Sequence, residues 1–198
     1  MVGIRQQRQQ RTREALLDAA ASVFASHGYA GASVPQIAHE AGVSTGAIYA
    51  NFTGKQELFL AMMRRVVEAG AAARQRSAAE TTDRDELLNR MVTTWTATVD
   101  TAPDIVLLMA EFWLYALRNP PHNELVAELL ADVRANLAAS IVGAGVVPDA
   151  DRAGRIAVAV QAVAYGYAMQ RLVDEDAVSP TQLVETVDWI LRGAVPAR

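Results

Sequence analysis

An all-α fold is what the 198-residue sequence predicts, and three observations carry that reading. Apolar residues recur at steps of three and four along nearly the whole chain, which is the spacing of one helical face. Short alternating runs bounded by turn pairs, the mark of strands, are missing. The breaks are few and rich in Gly, Pro and Asn, at residues 27–31, 101–103, 119–121, 143–151 and 174–180. Apolar residues make up 52% of the chain, which excludes a wholly disordered protein.

The first helix is expected over residues 12–26, where Leu16, Ala19, Ala20, Val23 and Phe24 form a core-facing stripe. After the glycine turn, Ser33-Val34-Pro35-Gln36 reads as a helix start, with Ser33 as cap, Pro35 in the first turn and Gln36 completing a capping box. That second helix covers about residues 34–41 and stops at Gly42, and Ser44 then caps a third running to about residue 52. Thr53-Gly54-Lys55-Gln56 repeats the cap-x-x-Gln pattern and opens a long fourth helix over 55–78. Further helices are expected at 84–101, 103–118, 122–142, 152–173 and 180–194. The domain boundary falls between a reader at 1–56 and a helical remainder at 57–198.

Charge is asymmetric. Residues 1–57 carry five basic side chains against four acidic ones, and residues 58–198 carry 13 against 18. Arg5, Arg8, Arg11 and Arg13 form the one dense basic cluster, which suggests contact with a polyanion at one end. This arm can reach a minor groove or remain a solvated tail. Its apolar continuation is interrupted by Glu14 and Asp18, so it reads as mature protein and not as a signal peptide. The longest apolar runs, 105–117 and 156–169, fall short of the roughly 18 to 20 residues a membrane span needs. The absence of cysteine excludes disulfides, thiolate metal sites and thiol nucleophiles, and suits a cytoplasmic protein.

Two short helices joined by a tight glycine turn and braced by a helix on either side form the arrangement of a helix-turn-helix DNA reader. The residues at its heart are Phe24, Gly28-Tyr29, Ser33-Val34, Ile37-Ala38, Ala41-Gly42-Val43-Ser44, Gly46, Ile48-Tyr49, Phe52, Lys55 and Leu58-Phe59. At these spacings the segment 32–59 closely resembles the tetracycline-repressor (TetR) family of bacterial regulators. Read on its own chemistry, Ser44 caps the recognition helix, Thr45 can contact a base or phosphate, and Gly46 lets the backbone come near the anion. Tyr49 lies one turn after Thr45, where its hydroxyl can reach a phosphate, and Lys55 supplies a point charge at the start of the next helix. Ala47 and Ala50 can meet a thymine methyl, and Asn51 a phosphate or an adenine edge. With Ser33 and Val34 these residues complete the expected DNA-binding set, while Ile37, Ala38, Val43, Ile48 and Phe52 are motif core. Many members of the family carry an aromatic where Ala50 stands and histidine where Asn51 stands, so the operator sequence does not follow by analogy.

The resemblance implies that the C-terminal helices bind a small-molecule effector and dimerise through the last two. Leu183, Val184, Val187, Ile190 and Leu191 give the last helix an apolar stripe, and the preceding one mixes Ala157, Ala159, Ala162 and Gly166 with Val160 and Val163; these faces either pair two copies or close a monomer core. Met91 and Trp95, Met109 and Trp113, and Tyr165 and Met169 are pairs at i, i+4 that, with Phe112, can line an effector pocket or simply fill the core. Glu111 interrupts an apolar run and can select a cation, pair with Arg118, or stand exposed. The segment 111–116 resembles a subgroup typified by choline-responsive repressors.

No catalytic constellation emerges. His39-Glu40 begins like a helical zinc-protease motif, but Val43 occupies the next ligand position, and Gly143-x-Gly145 is followed by Pro148 where a dinucleotide fingerprint needs glycine. His27, His39 and His122 are scattered. The expectation is a DNA-binding regulator, not an enzyme: a repressor that holds a double-stranded palindromic operator as a homodimer, needs no cofactor or metal, and is released by a small molecule. The alternatives are a regulator without a small-molecule ligand and a helical protein-interaction module, and the latter requires the match from Ser44 to Lys55 to be accidental.

Overall fold

The computed structural model describes residues 3–81 and 83–193. Among them the chain forms nine α-helices and no strand: α1 Ile4–Gly31, α2 Val34–Glu40, α3 Thr45–Tyr49, α4 Lys55–Glu80, α5 Arg84–Thr101, α6 Pro103–Arg118, α7 Asn123–Gly143, α8 Ala150–Val173 and α9 Pro180–Gly193, with a 3-10 turn at Pro120–His122. Residue 194, expected to end the last helix, lies outside the described residues.

By internal packing the chain divides into two compact units, Met1–Val66 with Leu107–Leu129, and Val67–Val106 with Leu130–Arg198. This cut differs from a boundary after residue 56. Helix α4 crosses that point unbroken, and α4, α6 and α7 each begin in one unit and end in the other.

In the first unit α1 starts eight residues before the expected position. Residues 4–11 are almost all Arg and Gln, good helix formers with no glycine or proline to stop them, so the basic segment is the opening of α1 and not an extended arm. The side chain of Arg5 lies outside the described residues. Leu16, Ala20 and Phe24 are fully buried from this helix, as are Ile37 of α2, Ile48 of α3, and Leu58 and Phe59 of α4. The start of α4 corrects the expected cap by one residue: the partner of Thr53 is Glu57, not Gln56. Both the N–H and the hydroxyl of Thr53 donate to Glu57 Oε2, at 2.6 and 2.7 Å. These bonds hold the Glu57 carboxyl below its usual range, helped less by Arg13.

The core of the second unit joins Leu88 and Val92 of α5, Ile141 of α7, Ala153, Ile156 and Tyr167 of α8, and Leu183, Val187 and Leu191 of α9. The apolar stripe of the last helix therefore closes the core of its own chain. The face of α8 left outside keeps Ala162 and Gly166 of the expected residues and adds Val158, Met169 and Val173, at steps of three and four, and α9 adds Trp189, 67% exposed. Side-chain caps start three of these helices: Asp83 accepts from Glu86 N–H at 2.8 Å, Asp149 from Arg152 N–H at 2.6 Å, and Ser179 and Gln182 form a reciprocal box.

Candidate nucleic-acid interface

Local chemistry fixes the reader before any partner is present. Ser33 Oγ accepts from Gln36 N–H at 3.4 Å and donates to Gln36 Oε1 at 2.6 Å, which starts α2. Its end is a Schellman turn: Val43 N–H donates to Ala38 O and Gly42 N–H to His39 O, both at 3.0 Å, with Gly42 at φ +65°. Ser44 Oγ then accepts from Ala47 N–H at 3.3 Å and starts α3. Ile37, Ala38, Ile48 and Phe52 are buried beneath, so the outer face of α3 is free of structural duty.

That face carries Ser44, Gly46, Tyr49 and Ala50 exposed, with Thr45 and Ala47 half-buried beside them. Tyr49 is 59% exposed. Gly46 is informative, because a Cβ there would meet nothing closer than Ser44 Oγ at 3.7 Å. Among the described residues nothing requires glycine inside this helix, where it costs about 1 kcal/mol relative to alanine. Ser33 and Val34 are half-buried at the start of α2.

Two expected contacts have internal duties. Asn51 Nδ2 donates to Ala47 O at 2.8 Å. The Lys55 ammonium donates to Tyr29 O at 2.8 Å, Ala32 O at 3.0 Å and Ala30 O at 3.4 Å, and sits 4.7 Å from the Tyr29 ring centre. Its three N–H donors thus cap the end of α1, where cations are favoured, and burial lowers its pKa. Arg13 also differs from its expected role in a free arm: its guanidinium lies 4.3 Å from the Phe52 ring centre and donates to Asn51 O at 3.2 Å. Arg13 is a brace between α1 and the end of the recognition helix. Arg8 and Arg11 stay exposed, and no ion pair engages them among the described residues.

Sequence reasoning missed a knot around Tyr29. Its ring meets Phe59, Phe112 and Tyr115 at centroid distances of 4.9, 5.0 and 4.9 Å. Burial, and then the neighbouring Tyr115 hydroxyl, push its phenol up to about 12. Its N–H donates to Glu111 Oε2 at 2.7 Å. Gly28 makes that possible with φ +67° and ψ 171°, a region essentially reserved for glycine, and a Cβ there would stand 2.6 Å from the same oxygen. Glu111 is an exposed residue that grips the end of α1. The available signal was the acid inside an apolar run, but nothing local named its partner.

The expected effector residues are distributed over both units. Met91 lines an apolar pocket of the second unit, Trp95 packs against that unit's core and Tyr165 is half-buried on α8. Met109 and Phe112 are buried in the first unit, where Phe112 belongs to the Tyr29 knot, and Trp113 is half-buried in the same unit. Met169 is exposed on the outer face of α8.

A capped two-helix reader with an open face, carried on an all-helical body, defines a helix-turn-helix transcriptional regulator. Residues 16–62 match the family of bacterial regulatory proteins, tetR family, and residues 84–196 match the BetI-type transcriptional repressor, C-terminal; the chain belongs to the TetR family of DNA-binding transcriptional regulators, which are not enzymes. The transcriptional activator FasR of Mycolicibacterium smegmatis is 38% identical over 80 residues, 40% of this chain and 36% of that protein. The repressor AcnR of Corynebacterium diphtheriae is 44% identical over 52 residues, 26% of this chain and 27% of that one. The chain thus matches well under half the length of these relatives. The structure of FadR from Bacillus subtilis, in complex with stearoyl-CoA, shares the fold at a TM-score of 0.67 with 16% identity, covering 92% of this chain and 97% of that one. No helix among the described residues is long and apolar enough to cross a membrane.

Proposed function

We propose that the protein is a ligand-responsive repressor that binds a palindromic operator as a homodimer. The open outer face of α3, with a glycine that no contact among the described residues requires, is the observation that carries the reading. Thr45 and Tyr49 supply the polar contacts, Gly46 the close backbone approach, and Ala47 and Ala50 the apolar ones. Ser33, Val34 and Ser44 set the approach of the two short helices, while Lys55 and Asn51 act chiefly by fixing the reader and add phosphate contacts only through N–H donors left over or freed on binding.

Two copies would pair through the outer faces of α8 and α9, where Val158, Met169, Val173 and Trp189 leave apolar surface exposed beside Ala162 and Gly166. Such a dimer sets its recognition helices in successive major grooves about 34–36 Å apart. A ligand in the C-terminal helices would shift α4, which runs from the Lys55 cap into the second unit, and so oppose DNA binding through one equilibrium. Swinging it from 1:99 to 99:1 takes about 5.5 kcal/mol of differential affinity. Repression, cytoplasmic location and release by ligand follow the commoner habit of the family.

The test is fluorescence anisotropy of the purified protein on DNA from its own upstream region and on selected sequences, at two salt concentrations with nonspecific competitor. Salt-dependent binding that survives competitor supports the reading; binding that competitor abolishes on every selected sequence refutes it.

A further inference from the structure

The second unit buries two polar side chains among the described residues, Thr96 and Gln161, and the second of them meets an arginine. Arg134 on α7 is half-buried, and its Nη1 donates to Gln161 Oε1 at 3.4 Å. Gln161 is only 7% exposed and interrupts the apolar face of α8, and its Nε2 reaches Leu130 O at 3.4 Å. The hydroxyl of Tyr165, one turn on, engages the same Gln161 side chain, and burial raises its pKa. The bonds of Gln161 to Arg134 and to Leu130 O are long, so the amide is weakly held by them. No carboxylate pairs with Arg134 among the described residues, and none pairs with Arg74, the half-buried arginine of α4 in the same unit.

The unsatisfied buried atoms point the same way. In this unit they are Arg74 Nε, Trp95 Nε1 and Tyr167 Oη, each of which carries a hydrogen to donate. A buried donor without an acceptor costs free energy, and a buried cation without an anion costs more. The carboxylates of this unit are exposed among the described residues except Asp188, which pairs with Arg192, and the one that acts on the Tyr167 hydroxyl, Asp100, is paired with Arg171. The same unit holds an apolar pocket lined by Leu87, Met91, Leu137, Ile141, Val160 and Val187, among others. Leu137 stands one turn from Arg134 on α7, and Val160 adjoins Gln161 on α8. Apolar walls one helical turn from a half-buried arginine suit a ligand with an apolar tail and an anionic tip.

We propose that the effector is an amphipathic carboxylic acid, its carboxylate received by Arg134 with Gln161 and Tyr165 and its apolar tail lying in the adjoining pocket. The proposal rests on the ligand-responsive reading above. It assigns this chain an acid where the subgroup suggested by segment 111–116 takes a quaternary ammonium, because a cation placed here meets Arg134 and finds no buried carboxylate.

The full-length protein is titrated calorimetrically with straight-chain carboxylates of about six to sixteen carbons, with the matching alcohols and trimethylammonium salts, and with choline. At one or more chain lengths the acid binds at least about tenfold more tightly than the alcohol and the ammonium, the scale of one charge-assisted hydrogen bond. Arg134→Gln reduces that preference to under about threefold, and Arg134→Lys keeps more of it. The inference is overturned if choline or an alkylammonium binds as tightly as the acid, if no carboxylate binds, or if Arg134→Gln binds the acid as the natural protein does. Should Arg134→Gln fail to fold, the comparison of head groups on the natural protein decides alone. Operator binding is measured separately, so a protein that holds DNA but no acid loses only this inference, and one that holds the acid but no DNA loses only the regulatory reading.

Discussion

Gly28→Ala tests the knot at the end of α1. The backbone at φ +67° and ψ 171° costs a residue with a side chain about 1–3 kcal/mol. The new Cβ would also stand 2.6 Å from Glu111 Oε2 and 2.9 Å from Oε1, so the carboxylate must swing away and release the Tyr29 N–H. Losing a hydrogen bond to a charged acceptor costs about 1.5–3 kcal/mol, and the exposure of Glu111 keeps it near the lower figure. The single substitution should therefore destabilise by about 2.5–4.5 kcal/mol, a large part of the ~5–15 kcal/mol a domain has. Urea unfolding followed by circular dichroism at fixed protomer concentration measures it. Glu111→Ala alone should cost about 1.5 kcal/mol, and in that background Gly28→Ala should cost only its backbone share, leaving a coupling near 1.5 kcal/mol. A loss below 1 kcal/mol for Gly28→Ala, or the same loss with and without Glu111, would refute the reasoning.

Gly46→Ala should stabilise the free protein by about 0.5–1 kcal/mol while weakening operator binding at least about tenfold, since the helix gains and only DNA approach loses; equal affinity by anisotropy would remove Gly46 from the interface. Lys55→Ala should lower the urea midpoint in the absence of DNA by about 2–3 kcal/mol in free energy, because three carbonyls lose a charged donor, and an unchanged midpoint would return Lys55 to a purely phosphate-binding role. Glu57 has a folded pKa below its ordinary value of 4.5, so its contribution is present above that value and lost as pH falls through the folded one. Between pH 6 and 3 the natural protein should thus lose more stability than Glu57→Gln, and parallel curves would contradict the Thr53 cap.

What the sequence made legible was local. Ser33 and Ser44 each write a helix start within four residues, Gly42 a helix end, and all three stand where the spacing put them. The miss at Thr53 has the same origin: acid and glutamine are interchangeable in a capping box, and Gln56 and Glu57 are neighbours, so register alone chose between them. Pairings across the chain were not legible. Lys55 meets carbonyls 23 to 26 residues earlier, and Glu111 an amide 82 residues earlier; backbone atoms leave no trace in a sequence pattern. The stripe of α9 was seen correctly as apolar, but periodicity says that a face is covered and not by which chain.

The ammonium of Lys55 on the carbonyls of Tyr29 and Ala32 has a consequence for how the reader opens. It draws residues 29 and 55 together and so ties off the whole of α2, the turn and α3 as one closed loop. Segments tied at their base tend to come apart as a unit, because slack inside the loop gains little freedom until the knot is released. Amide protons along α2 and α3 should then share a single exchange free energy in the free protein, and the chain meets DNA with a reading head already drawn tight by one side chain.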